Sequence, residues 1–482
     1  MTSIVVLAAT LAQLAVRPVP LRPGIGVAHS AVTTRSKQAQ AFFDQGLAYI
    51  HSYVWLEAAR SFNQALRLDP NIAAAYAELS IAYTELNDAP AAHDAIALAR
   101  ALAPKTSARE QAWIAARALQ MDAEAAPADA AKLAAYRAAL DAALKQLPND
   151  VELLLARGKA ESRDPADRGQ GSIASAIPYY TKALALAPGQ FAAHHFLAHA
   201  YENTGQVQPA LVEAAAYARM APNIPHARHM HGHELRRAGR VADAIAEFTA
   251  ADELDRAYMT AEGIPPAFDW HYQHNLDLLA TSYQYLGQND KAEALFRKSF
   301  AIPSAMLEQE FNKREWPVFL IAEGRAPEAL DAAKALIAQP APLVQATGHI
   351  EAGEAYLALK QVPQAGAEYN AALRLMRGAE GAGLLADALR QLQGGVFLHS
   401  GRAVEGRAAL QQAATDMRSR PGPDAWVETT FALEAMARMA REVGDWELAE
   451  WMARQMIDHD PNYAGSRRAT ELVEEHKRHT RR

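Results

Sequence analysis

The chain has 482 residues, half of them apolar and 7% aromatic; it can bury a large core but exceeds the ~100–200 residues of one ordinary domain. Its formal net charge of −7 argues against a nucleic-acid backbone as the main partner, because such binders gather Lys and Arg on one face. Cysteine is absent. That excludes disulfides, thiolate nucleophiles and zinc–thiolate sites, so a metal would need His, Asp or Glu.

In chain order, Ser3–Val16 is almost wholly apolar and is followed by Arg17 and three prolines. The stretch is too short to span a bilayer. It resembles the apolar part of a secretion signal, with Gly26-Val27-Ala28 as the cleavage site, although no Lys or Arg precedes it. Export to the periplasm is one reading; a hydrophobic N-terminal arm of a cytoplasmic protein is the other. Residues 1–35 are therefore leader and linker, and no other segment reads as transmembrane.

Beyond residue 36 the sequence repeats. Gly46, Tyr49, Ala58, Phe62, Ala65 and Pro70 form a ladder that returns at Tyr83, Ala92, Ile96, Ala99 and Pro104. It returns again at Tyr201, Ala210, Ala214 and Pro222, with Tyr217 where the other copies have alanine. Further copies run through Gly232, Ala244, Phe248 and Ala251, through Tyr283, Ala292 and Phe296, through Gly353, Tyr356, Ala365, Tyr369 and Ala372, and from Ala449 to Pro461. Small residues let two helices approach, large ones fill the gap, and proline closes the second helix. Alanine dominance favours helix on helix, and period-two β-branched runs are scarce.

This spacing resembles the tetratricopeptide-repeat (TPR) family, whose unit is two antiparallel helices, A and B. The resemblance implies an all-α, right-handed superhelical α-solenoid of TPR-like hairpins. The expected organisation is a solenoid with a His-rich concave groove over residues 36–303, then weaker hairpins and a capping helix over 304–482. Residues 106–150 read as a degenerate hairpin with a longer second helix. Residues 151–188 read as another, interrupted by the polar loop Ser162–Ser172, and Arg418–Pro423 reads as a break.

Nine of the 17 histidines fall between positions 194 and 274. His195, His199 and Glu202 are spaced four and three, so they share one helical stripe. His226, His229 and His233 form a second stripe, and His271, His274 and Asp277 a third. His194 and His231 are off-stripe and are expected between helices. Counted from the tyrosine and glycine markers, the stripes occupy helix-A positions that, as the resemblance implies, face the concave groove.

Two His-x-x-x-His pairs, His195/His199 and His229/His233, with His274 nearby, could supply imidazoles to zinc or copper. Glu202, Glu234 and Asp277 could orient rings or act as a base on metal-bound water, which would make a metalloenzyme. The metal site is the alternative to a first reading that is metal-free: a scaffold that holds a peptide, protein segment or other ligand in the groove, gripped by His195, His199, His226, His229, His233, Arg236, His271, His274 and Asp277. The chain also resembles a group of bacterial TPR proteins with His-rich helices after a Phe-Asp-Gln-Gly first repeat, here Phe43 to Gly46. His51 and Glu354 are weaker groove candidates, and His349 reads as structural. No P-loop, Gly-x-Ser-x-Gly elbow or dinucleotide fingerprint is present.

Overall fold

Alanine-rich segments that begin at a Ser or Asp and end near Gly or Pro have local reasons to be helical. The computed structural model describes residues 11–305, 307–377, 382–420 and 425–480. Among the described residues there are helices and loops but no strand. Ser36, Asp88, Asp129 and Asp150 each cap a helix by accepting a backbone N–H, and Ser107 with Glu110 completes a capping box. The chain divides into two compact units, Met1–Ile264 and Pro265–Arg482. This division falls inside the stretch that the sequence reads as one array.

The first unit is six antiparallel hairpins: α1 (Lys37–Ile50) with α2 (Trp55–Leu68), α3 (Ala73–Glu85) with α4 (Ala89–Leu102), α5 (Ala108–Glu124) with α6 (Ala130–Gln146), α7 (Val151–Lys159) with α8 (Ile177–Leu186), α9 (Phe191–Asn203) with α10 (Val207–Met220), and α11 (Pro225–Arg237) with α12 (Val241–Glu262). The ladder is the interlock of each pair. Gly46 lies so close to the Phe62 ring that a Cβ would overlap it, and Gly232 stands in the same relation to Phe248. Ala58, Ala65, Ala92, Ala99, Ala210, Ala214, Ala244 and Ala251 are buried, which leaves no space for larger residues. Helices α5 and α6 are equally long, 17 residues each, so the expected longer second helix is absent. Helix α12 runs for 22 residues and stops at Gly263, whose φ of 61° is left-handed.

The loop Ser162–Ser172 is polar because it is paired. Arg168 binds Glu85 at 2.9 Å and Glu124 at 2.8 Å. The leader is also fastened. Val19, Ile25 and Ala28 are buried. The Gln45 side chain accepts from the Arg22 N–H at 2.7 Å and donates to the Pro20 carbonyl at 3.0 Å. The Asn223 N–H donates to the Gly24 carbonyl at 2.8 Å, and Gly26 abuts the Phe191 ring. Residues 3–10 of the apolar stretch lie outside the described residues. Among the described residues no helix is long and apolar enough to cross a membrane.

The second unit contains α13 (Trp270–Tyr285) with α14 (Asn289–Ala301), α15 (Glu315–Ala322) with α16 (Ala326–Ile337), α17 (Pro342–Ala358) with α18 (Val362–Met376), α19 (Ala386–His399) with α20 (Ala403–Ser419), and α21 (Ala425–Glu442) with α22 (Trp446–His459), closed by α23 (Ala464–Thr480). Phe296, Trp316, Phe319 and Leu320 form one core cluster. The ladder is shifted here: Gly353 of α17 meets Leu392 of the next hairpin rather than Tyr369 of its own. Helix α23 is held on α22 by stacking of His476 on Trp446 at 3.8 Å. Residues 421–423 of the expected break, and 481–482, lie outside the described residues.

Candidate metal centre

Two A helices of the first unit carry histidine stripes. Helix α9 starts after Gln190, and α11 starts on Pro225, a residue suited to a first helical position. A four-residue step puts His195 and His199 one above the other on α9, and the same step pairs His229 with His233 on α11. The off-stripe residues turn to their own hairpin partners: His194 contacts Glu213 at 2.5 Å and His231 contacts Glu247 at 3.1 Å.

His195 is the centre of the arrangement. Its Nδ1 lies 2.7 Å from the backbone carbonyl of His51. A carbonyl can only accept, so this nitrogen carries the proton and Nε2 presents its lone pair. That Nε2 is 3.1 Å from Nε2 of His199 and 3.1 Å from Nε2 of His226. One lone pair thus faces two imidazole nitrogens, and the three ligand atoms all lie within 4.8 Å of one another. A tetrahedral ion with bonds of ~2.0–2.1 Å would hold its nitrogens ~3.3–3.4 Å apart. Backbone capture of the remote ring nitrogen is the usual way a metal-binding imidazole is oriented.

Aromatic rings enclose this trio. Tyr217 stacks on His195 at 4.5 Å. Tyr53 lies 4.7 Å from His195, 5.1 Å from His226 and 6.2 Å from His199. Its φ of 59° bends the loop after α1 back over the rings, and its hydroxyl donates to the Arg168 carbonyl at 3.0 Å. Burial, then the neighbouring His199, holds the His195 pKa well below its ordinary value. Burial takes His199 down to about 3. Both rings are therefore neutral at pH 7, the form that binds metal. His51 is itself tied to Glu152 by Nε2 at 2.9 Å.

The second pair continues along α11. His226 stacks on His229 at 5.7 Å, and the Nε2 atoms of His229 and His233 are 2.9 Å apart. Glu202 lies between the two helices' stripes, 3.9 Å from His199 Nδ1 and 3.8 Å from His233 Nδ1. Glu234 is buried, and burial pushes its carboxyl up to about 8.

The sequence model of the tetratricopeptide repeat matches residues 168–231, which include α9 and its histidines. That segment of the chain is similar to the tetratricopeptide repeat. No curated protein matches it significantly. Among solved structures, a tetratricopeptide repeat protein from Parabacteroides merdae ATCC 43184 is 16% identical, covers 59% of this chain and 99% of its own, and has a TM-score of 0.41. Cut9 in the Cut9–Hcn1 hetero-tetramer of the APC/C is 13% identical over 92% of this chain and 78% of that one, with a TM-score of 0.43. The human IFIT1 dimer with PPP-AAAA is 13% identical over 83% and 90%, with a TM-score of 0.45. Overlaps this low say nothing of function.

The TPR resemblance implies groove-facing positions for the stripes; none of His195, His199, His226, His229 and His233 is more than 4% exposed. For the first three the reason is the Tyr53 loop and the Tyr217 ring. Arg236 is also buried, with its guanidinium 5.8 Å from the Phe248 ring. The third stripe belongs to the second unit, on α13. There His271 is buried and burial lowers it to about 4, while His274 is half-buried and stacks on Trp270 at 6.0 Å. Asp277 is buried beside Ser299, and burial holds its carboxyl well above the usual range. His349 is half-buried and contacts Glu368 at 2.5 Å. Sequence reasoning missed the His51 carbonyl, Tyr53 and the stacking of Tyr217; the departure of Tyr217 from the alanine ladder was the one visible signal.

Proposed function

We propose that this protein binds a transition-metal ion, zinc or copper, through Nε2 of His195, His199 and His226. The observation that carries the reading is the His195 ring, with one nitrogen fixed by the His51 carbonyl and the other at 3.1 Å from two imidazoles. Three buried imidazoles suit zinc and copper and not calcium or magnesium. Three protein ligands also leave a fourth position for water or another donor. His229 and His233 offer two further imidazoles in the same unit, and Glu202 would steady the rings from behind. Histidines this deep cannot grip a peptide lying on the surface, which favours the ion over the metal-free reading. TPR arrays are in general scaffolds for protein interaction, and a partner protein or peptide is compatible with a metal inside one. The test is elemental analysis of untagged protein, followed by titration of chelator-treated protein with zinc and with copper(II). Stoichiometric metal, lost in His195→Ala and His226→Ala, supports the proposal. Wild-type protein that takes up neither ion refutes it.

A further inference from the structure

The second unit holds a feature unconnected with the histidines: a cavity of about 340 Å³ that takes its walls from α15, α17, α19, α20 and α21. That volume is in the range of small-molecule sites. Much of the wall is apolar, with Val318, Ile350, Leu385, Met417 and Phe431 among its residues. Two carboxyls of α17, Glu351 and Glu354, face this space one helical turn apart. Both are more than nine-tenths buried. Glu354 accepts from the Gln391 side chain at 2.6 Å. The Oε2 atom of Glu351 has no hydrogen-bond partner, so a buried acceptor is left for a donor brought by a ligand.

The positive groups nearby are committed. Arg314 pairs with Glu428 and lies 3.5 Å from Glu315, and Arg420 pairs with Asp387. Glu315, Arg314 and Arg438 are the other charges acting on the acid pair. What the cavity lacks is a cation with an apolar body. A divalent ion would need six or more oxygen ligands, and this wall is mostly hydrocarbon. An anion would meet two carboxyls. We propose that this cavity binds a primary ammonium group carried on an apolar chain, with the nitrogen against Glu351 and Glu354 and the chain along Ile350, Met417 and Phe431.

Burial, followed by repulsion from Glu354, raises Glu351 well above its usual range, and burial raises Glu354 to about 7. The empty site therefore holds protons near neutrality, and an incoming ammonium must displace them. Affinity should rise with pH, by about tenfold between pH 6 and pH 8 for one displaced proton. It should stay high until the amine itself loses its proton near ~10.4.

The experiment is calorimetric titration of the full chain with n-hexylamine, hexan-1-ol, calcium chloride and capped lysine (Nα-acetyl-lysine methylamide), at pH 6 and pH 8. The expected result is 1:1 binding of a primary amine. It should be at least tenfold tighter than hexan-1-ol at pH 8, weaker at pH 6, and weakened at least tenfold by Glu351→Gln. Tighter capped lysine would identify a protein side chain as the source of the ammonium; tighter hexylamine would identify a free amine. Equal binding of hexan-1-ol, displacement of amine by calcium, or a Glu351→Gln variant with wild-type affinity would each overturn the proposal. The comparison of amine with alcohol uses wild-type protein alone, so it stands even if the variant fails to fold. The outcome is independent of any metal on the histidines.

Discussion

Replacing His195 by alanine separates what this ring does for the fold from what it does for an ion. The side chain is fully buried and its Nδ1 satisfies the His51 carbonyl at 2.7 Å. The variant leaves a cavity against Tyr217 and a carbonyl without its donor, and the apo protein should lose roughly 2–4 kcal/mol. The metal contribution is additional. An ion bound only to the folded state adds RT ln(1 + [L]/Kd), roughly 2.7 kcal/mol when zinc is at 100 times Kd. His195 is the imidazole that touches both of the others, so its loss would leave two proposed donors and should erase nearly all of that gain. The assay is urea denaturation of chelator-treated protein with and without zinc, for wild type, His195→Ala and His349→Ala. His349 contacts Glu368 on its own hairpin and should keep the full zinc gain. If His195→Ala gains as much from zinc as wild type, the ion sits elsewhere and the geometry has been misjudged.

Glu354→Gln should alter the pH dependence of stability. The folded pKa of about 7 lies above the unfolded ~4.3, so the folded state binds more protons between them and wild type gains relative to the variant as pH falls. The gain should approach roughly 2 kcal/mol between pH 8 and pH 5.5, measured by denaturation at both; a flat difference would mean that Glu354 is not held protonated. Gly232→Ala places a Cβ 2.8 Å from the Phe248 ring, and such overpacking costs ~1–3 kcal/mol. Because His229 and His233 both pack on that ring, their chemical shifts should move with it, and an unchanged spectrum would uncouple the ladder from the histidines. Deletion of residues 1–28 exposes what Val19 and Ile25 cover and removes the bonds to Gln45 and Asn223. A loss of roughly 2–4 kcal/mol is expected, read by thermal melting, and an unaffected melting point would show the leader to be a passenger.

What could be read from the sequence was what is local. The Gly46–Phe62 and Gly232–Phe248 contacts lie within one hairpin, so spacing along the chain is already spacing in space. The stripes were legible for the same reason: helical phase alone puts His195 over His199 and His229 over His233. Depth was not legible. The carbonyl that fixes His195 and the Tyr53 ring that covers it come from a loop 144 and about 140 residues earlier in the chain, and no local period encodes that return. Tyr217 shows how far a local signal reaches. Its place in the ladder belongs to alanine, and the mismatch marked the position without saying what the ring would meet. The structure puts it against His195. The polar loop Ser162–Ser172 showed only its polarity, and that Arg168 is buried against Glu85 and Glu124 depends on helices far from it in the chain. Glu351 gave no signal at all, because a glutamate on an alanine-rich helix is ordinary until the far wall of its cavity is known. Departures from a repeat therefore point to where long-range contacts are made, and only the fold says which partner makes them.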